Sequence, residues 1–142
     1  MVDDDESNRE SLRRRLERRG YSVTVAANGQ AALNCVAAAA FDLIILDVMM
    51  PGISGLDVLK QLRAVYSPAQ LPIIMATAKD QSENVVEALD LGANDYVTKP
   101  LDFAVVSARV RTHLQLKQSV DRILALESNL RMRNAELQRA NI

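Results

Sequence analysis

Cysteine and histidine are nearly absent: Cys35 and His113 are the only examples in 142 residues. One cysteine excludes an intramolecular disulfide and zinc-finger spacing, and it fits a reducing cytosol. Cys35 reads as a small buried apolar residue. No apolar run approaches the roughly 18 residues a membrane span needs. No signal peptide precedes the acidic start. These features predict a cytoplasmic protein with no membrane partner. Net charge is only −1, so no global field draws the chain to nucleic acid. Neither glycine nor proline occurs from Asp102 onward.

What remains is an ordinary globular composition, 49% apolar and 25% charged, at a length suited to one domain. Residues 1–100 carry 10 Lys/Arg against 14 Asp/Glu, and residues 101–142 carry 7 against 4. A solvated helix surface accounts for that mild asymmetry.

Short apolar runs alternate with amphipathic stretches. Tyr21–Ala27 alternates and is rich in β-formers, so it reads as a strand. Asp42–Leu46 and Pro72–Ala76 are continuous apolar runs, the mark of strands buried on both faces. Asp95–Thr98 is a shorter strand. Ser7 to Arg19 reads as a helix, with Ser7 and Glu10 as capping box and Gly20 as terminator. Helices are also expected from Asn28 to Ala39, from Ser54 to Val65 and from Ser82 to Leu91. The third sets Leu56, Leu59, Leu62 and Val65 on its apolar face, and the fourth Val85, Val86 and Leu89. Strand–helix units of about 20–25 residues predict a doubly wound, five-stranded parallel sheet with helices on both faces. Only Met1-Val2 precede Asp3, so either the first strand is very short or the natural chain begins upstream, and the second is expected.

In an open parallel sheet the carboxyl ends of the strands share one edge, where ligands bind. That edge would collect Asp3-Asp4-Asp5, Asp47, Thr77 and Lys99. Several carboxylates a few ångströms apart repel, and a hard divalent cation such as Mg2+ relieves the repulsion. With Lys99 it would neutralise a transferring phosphoryl group. Asp47 would then serve as nucleophile, giving an acyl phosphate, and Thr77 would hydrogen-bond the new phosphoryl oxygens.

At these residues the chain resembles the receiver domain of bacterial response regulators in two-component systems. Asp3-Asp4 resembles the acidic pair after the first strand. Asp47-Val-Met-Met-Pro-Gly-Ile-Ser-Gly55 is similar to the phosphoacceptor and its loop. Thr77-Ala78 resembles the hydroxyl switch, and Tyr96-Val-Thr-Lys99-Pro100 the aromatic switch, the lysine and its proline. The resemblance covers about residues 1–115, with 43 residues from Asp4 to Asp47, 30 on to Thr77 and 22 more to Lys99. It implies a flavodoxin-like sheet of order 2-1-3-4-5. It implies that Asp47 accepts phosphate from a sensor histidine kinase or phosphotransfer protein. Mg2+ would be held by Asp4, Asp47 and the Met49 backbone carbonyl, with Asp3 acting through water. Lys99 would contact the phosphoryl group. Thr77 and Tyr96 would couple the site to the face formed by the fourth helix, fifth strand and fifth helix. The Lys99-Pro100 bond would be cis. Met49 and Lys79 would flank the path of hydrolytic water, and an apolar Met49 implies slow self-dephosphorylation.

Other readings are blander. Asp5 and Glu6 read as helix-entry residues. Arg13-Arg14-Arg15 and Arg18-Arg19 read as a solvent face rather than a nucleic-acid site. Met49-Met50 lack nearby His or Cys and read as loop packing. His113 is a helix residue with no assigned role.

Residues 102–142 can form one helix about 60 Å long, of which a receiver needs only the first third. The reading is a receiver over 1–115 and a helical extension over 116–142. Leu116, Ile123, Leu130 and Leu137 recur every seven residues. Leu126 and Ala140 fill some second seam positions, while Ser119 and Arg133 interrupt them. A parallel homodimer through this helix is expected, with the chain continuing to an output beyond Ile142. Two rival functions remain at this point. One is an aspartyl-phosphate hydrolase of the haloacid-dehalogenase type, which usually wants a second acid where Met49 stands. The other is a dimerisation module that has lost phosphotransfer. The favoured reading is a signalling switch, not a stand-alone enzyme.

Overall fold

A computed structural model of the chain describes residues 1–78 and 80–140. Lys79 and the side chain of Ala140, both given roles above, lie outside the described residues. Helices α1 (Glu6–Arg18), α2 (Gly29–Ala38), α3 (Gly55–Arg63), α4 (Ser82–Asp90) and α5 (Phe103–Ala140) surround strands β1 (Ile44–Asp47), β2 (Ile73–Ala78) and β3 (Asp95–Lys99). The strands are parallel and ordered β1-β2-β3.

Val2 extends this sheet. It bridges Leu46 on one side and Ala26 on the other, both in parallel. The Val2 N–H donates to the Ile45 carbonyl at 2.8 Å, and Asp47 N–H donates to the Val2 carbonyl at 3.0 Å. The spatial order is therefore the expected 2-1-3-4-5. Its first two positions are single bridges, however, not full strands. Tyr21–Ala27, expected as a strand, forms a single bridge at Ala26, and its Thr24 carbonyl accepts from the Met1 ammonium at 2.8 Å.

The buried runs explain the layers. Successive residues of a strand face opposite sides, so Leu46, Ile73 and Met75 pack with Val58, Leu59 and Leu62 of α3 and Ala32 of α2. Ile45, Ile74 and Ala76 pack on the other side with Leu12, Leu16, Val106 and Val110. Two clusters thus clamp the sheet and fix where its carboxyl edge emerges.

Several local expectations change. Asp5, not Ser7, caps α1, accepting from Asn8 N–H at 3.2 Å. Glu10 is drawn away from the helix end by Arg13, at 2.6 Å. On α3 the buried residues are Gly55, Val58, Leu59 and Leu62, while Val65 lies past the end and is exposed. On α4 only Ala88 is buried, and Val86 and Leu89 face solvent. Cys35 is only partly buried.

α5 is one unbroken helix. Val106, Ser107 and Val110 are buried, Val120 is the last partly covered residue, and residues 121–139 are exposed throughout. Among the described residues no helix is long and apolar enough to cross a membrane.

Candidate functional site

The site is built at the carboxyl edge of the sheet. Asp47 ends β1 and Lys99 ends β3. Asp3 and Asp4 follow Val2 at the neighbouring position. Register places Asp47 beside Ala76, so Thr77 lies one step beyond it on β2, paired with Thr98. Residues separated by up to 96 positions in sequence thereby meet at one edge.

Asp3, Asp4 and Asp47 each present a carboxylate oxygen, all within 4.8 Å of one another. Asp3 and Asp47 are 1% and 2% exposed, while Asp4 is open to solvent. Lys99 Nζ donates to Asp47 Oδ2 at 2.6 Å and lies 3.7 Å from Asp3 Oδ2. The other Asp47 oxygen, Oδ1, accepts from Met49 N–H at 3.2 Å. Asp3 Oδ1 accepts from Asp5 N–H at 2.9 Å. Burial pushes the Asp47 carboxyl above its usual range, and the negative charge of Asp3 adds to this, although Lys99 and Met49 N–H oppose it. Burial alone would lower the Lys99 pKa. The hydrogen bond and charge of Asp47, with the charges of Asp3 and Asp4, outweigh that and raise it. Lys99 is therefore held as an ammonium.

Three carboxylates and one ammonium leave the cluster with an excess of negative charge and only oxygen donors. That donor set suits a hard divalent cation. Asp4 opens on a surface cavity of about 500 Å³, lined also by Asn28, Gln30, Pro51 and Ile53.

The loop after Asp47 is shaped by glycine. A Cβ on Gly55 would sit 1.9 Å from the Asp47 carbonyl oxygen, so only glycine lets α3 start against the backbone of Asp47. Gly52 adopts a left-handed φ of 79°. The Met49 side chain is 62% exposed beside Asp47, whereas Met50 is buried. The Lys99–Pro100 bond is cis.

Not every expected site residue joins the cluster. Thr77 is buried, and its hydroxyl lies 3.5 Å from the Ala78 carbonyl, a long contact. Tyr96 registers with Met75, three residues before Lys99, and its side chain is 39% exposed. No hydrogen bond joins Thr77 to Tyr96 among the described residues. His113, which had no assigned role, lies 3.0 Å from Asp95 Oδ2 and pins α5 to the start of β3. Arg109 approaches the same carboxylate at 3.6 Å. The helical spacing of Arg109 and His113 was a usable signal, but their partner lies on a strand.

The response regulator receiver domain family matches residues 1–111. The uncharacterized transcriptional regulatory protein YkoG of Bacillus subtilis is 45% identical over 115 residues, covering 81% of this chain and 50% of its own. Response regulator MprA of Mycolicibacterium vanbaalenii is also 45% identical, covering 81% and 49%. The chain thus spans about half the length of the curated relatives it matches. A putative two-component system response regulator/GGDEF domain protein superposes with a TM-score of 0.79 at 29% identity, covering 82% of this chain and 48% of its own. A CheY-like receiver domain protein of Methanospirillum hungatei gives 0.77 at 28%, covering 83% and 93%. With its parallel sheet, its acidic edge and a long last helix, the chain belongs to the receiver domains of two-component response regulators.

Proposed function

We propose that Asp47 is the phosphoacceptor and that the chain works as a phosphorylation switch, not as a stand-alone enzyme. The observation that carries this reading is the Lys99–Asp47 contact inside the three-carboxylate cluster. One oxygen of this buried carboxylate is charge-compensated by Lys99, and Asp4 beside it is open to solvent.

In this reading an Asp47 oxygen attacks the phosphorus of a phosphohistidine on a sensor histidine kinase or phosphotransfer protein. A P–O bond forms as the P–N bond breaks, and the imidazole leaves with the bonding pair. Lys99 Nζ, already at the carboxylate, carries the compensating positive charge. The Thr77 hydroxyl turns to a new phosphoryl oxygen. Asp4, Asp47 and the Met49 carbonyl would hold Mg2+, with Asp3 acting through water, and the ion would supply further charge neutralisation. Tyr96, on the exposed side of β3, reports the change toward α4 and α5.

We place the receiver at 1–115 and the extension at 116–142, in the cytoplasm, with no direct nucleic-acid contact by this segment. The extension forms a parallel homodimer and passes the signal to an output domain or partner. The GGDEF-linked neighbour supports an output of that arrangement.

Beryllofluoride with Mg2+ tests the switch. Backbone resonances of Thr77, Tyr96 and Lys99 should shift in the native chain and stay fixed in Asp47→Asn. An unresponsive native spectrum, or an equal response in the variant, contradicts the reading. Steady turnover of small phosphomonoesters would point to a hydrolase instead.

A further inference from the structure

We propose that α5 pairs with α5 of a second copy in parallel and in register, with Arg122 of each copy facing Glu127 of the other. This rests on the homodimer reading above and specifies its contacts.

Every side chain from 121 to 139 is exposed. A helix that touches nothing of its own domain gains stability from packing an apolar face elsewhere. Leu116, Ile123, Leu126, Leu130 and Leu137 are all more than half exposed. Four of them repeat every seven residues, the spacing of a left-handed two-helix seam.

Two stripes compete to complete that seam. Val120, Glu127 and Asn134 lie four residues after the repeat positions, and Ser119, Leu126 and Arg133 lie three after. The first choice would bury the Glu127 carboxylate and leave Leu126 in water. The second buries Leu126 and asks only that Arg133 lay its stem along the seam with its guanidinium at the rim. Burying an unpaired carboxylate is the costlier option, so the second stripe wins.

That choice fixes the flanks. Arg122 and Asn129 fall on one side of the seam, Glu127 and Asn134 on the other. In a parallel pair each residue of the first flank faces the residue five further on in the second copy. Arg122 then meets Glu127, and Asn129 meets Asn134: opposite charges and matching amides. Neither Arg122 nor Glu127 has an ion pair within its own chain among the described residues. An antiparallel pair sets like flanks together and loses the Arg122–Glu127 match.

Sedimentation velocity over a concentration series tests this on the full chain, with and without Mg2+ and beryllofluoride. Arg122→Glu and Glu127→Arg should each weaken the dimer about tenfold. The combined variant should return to near the native affinity, with helicity unchanged throughout. Ile123→Cys, in a Cys35→Ser background, should form an inter-chain disulfide on oxidation. A native chain that stays monomeric in both conditions sinks the homodimer reading and this pairing with it. A native dimer whose double variant is as weak as the singles, or whose Ile123→Cys form does not cross-link, overturns this pairing alone.

Discussion

Lys99 Nζ lies 2.6 Å from Asp47 Oδ2 and 3.7 Å from Asp3 Oδ2, so one cation from the end of β3 holds two buried carboxylates together. Removing it leaves two buried negative charges facing each other, and such an uncompensated site is destabilising. Lys99→Ala should lose about 1–3 kcal/mol of stability in chelator-containing buffer. Added Mg2+ should recover more of that loss in the variant than it adds to the native chain. Urea unfolding with and without Mg2+ measures both. A variant as stable as the native chain in chelator contradicts the pairing.

Asp47 itself should cost stability at neutral pH. Its folded pKa is raised above the unfolded value of 3.8, chiefly by burial. The folded state therefore holds the proton more tightly. The stability this contributes is complete below the unfolded pKa and is lost as pH rises through the folded one. Asp47→Asn removes that loss. In chelator at pH 7 it should melt about 2–5 °C above the native chain, and the gap should close as pH falls toward 4. Calorimetry across that range decides. A variant that melts lower at pH 7 would refute the argument.

Gly55 packs the start of α3 against the backbone of Asp47. With a Cβ only 1.9 Å from the Asp47 carbonyl oxygen, Gly55→Ala forces backbone to move. We expect a loss of about 2 kcal/mol or more and slower phosphorylation of the folded fraction. Unchanged stability would mean that the loop has slack the structure does not show.

The Met49 side chain, exposed beside Asp47, carries no group that would orient a hydrolytic water. Phosphorylated protein should decay slowly, with a half-life of minutes or longer, and Met49→Asn should shorten it. Timing the loss of the acyl phosphate by intact mass checks this. A native half-life of seconds runs against it.

Much of this was legible from residue order because its causes are local or periodic. Leu43–Leu46 and Ile73–Ala76 read as buried strands because nothing polar interrupts them. Asp47, Thr77 and Lys99 then followed at strand ends, and a parallel sheet carries such ends to one edge. Burial choices among similar residues were less legible. Val86 and Leu89 have the spacing of a packed face, yet α4 meets the sheet through Ala88. Asp5 displaced Ser7 as cap because it stands one residue before the helix that forms, and either side chain can cap. Long-range polar contacts left no local trace. Arg63 donates to the carbonyls of Gly92 and Leu71 at 2.7 and 2.9 Å and to Asn94 Oδ1 at 2.8 Å. Nothing around Arg63 in the chain announces those partners.

Every later step of the switch depends on the chemistry of Asp47. Incubating the native chain and Asp47→Asn with Mg2+ and acetyl phosphate, then weighing each intact and mapping the modified peptide, tests it most directly. One phosphoryl group should appear on the native chain, carried by Asp47, and it should fail to form when Mg2+ is chelated beforehand and be absent from the variant. No modification of the native chain, or the same modification on Asp47→Asn, would contradict it.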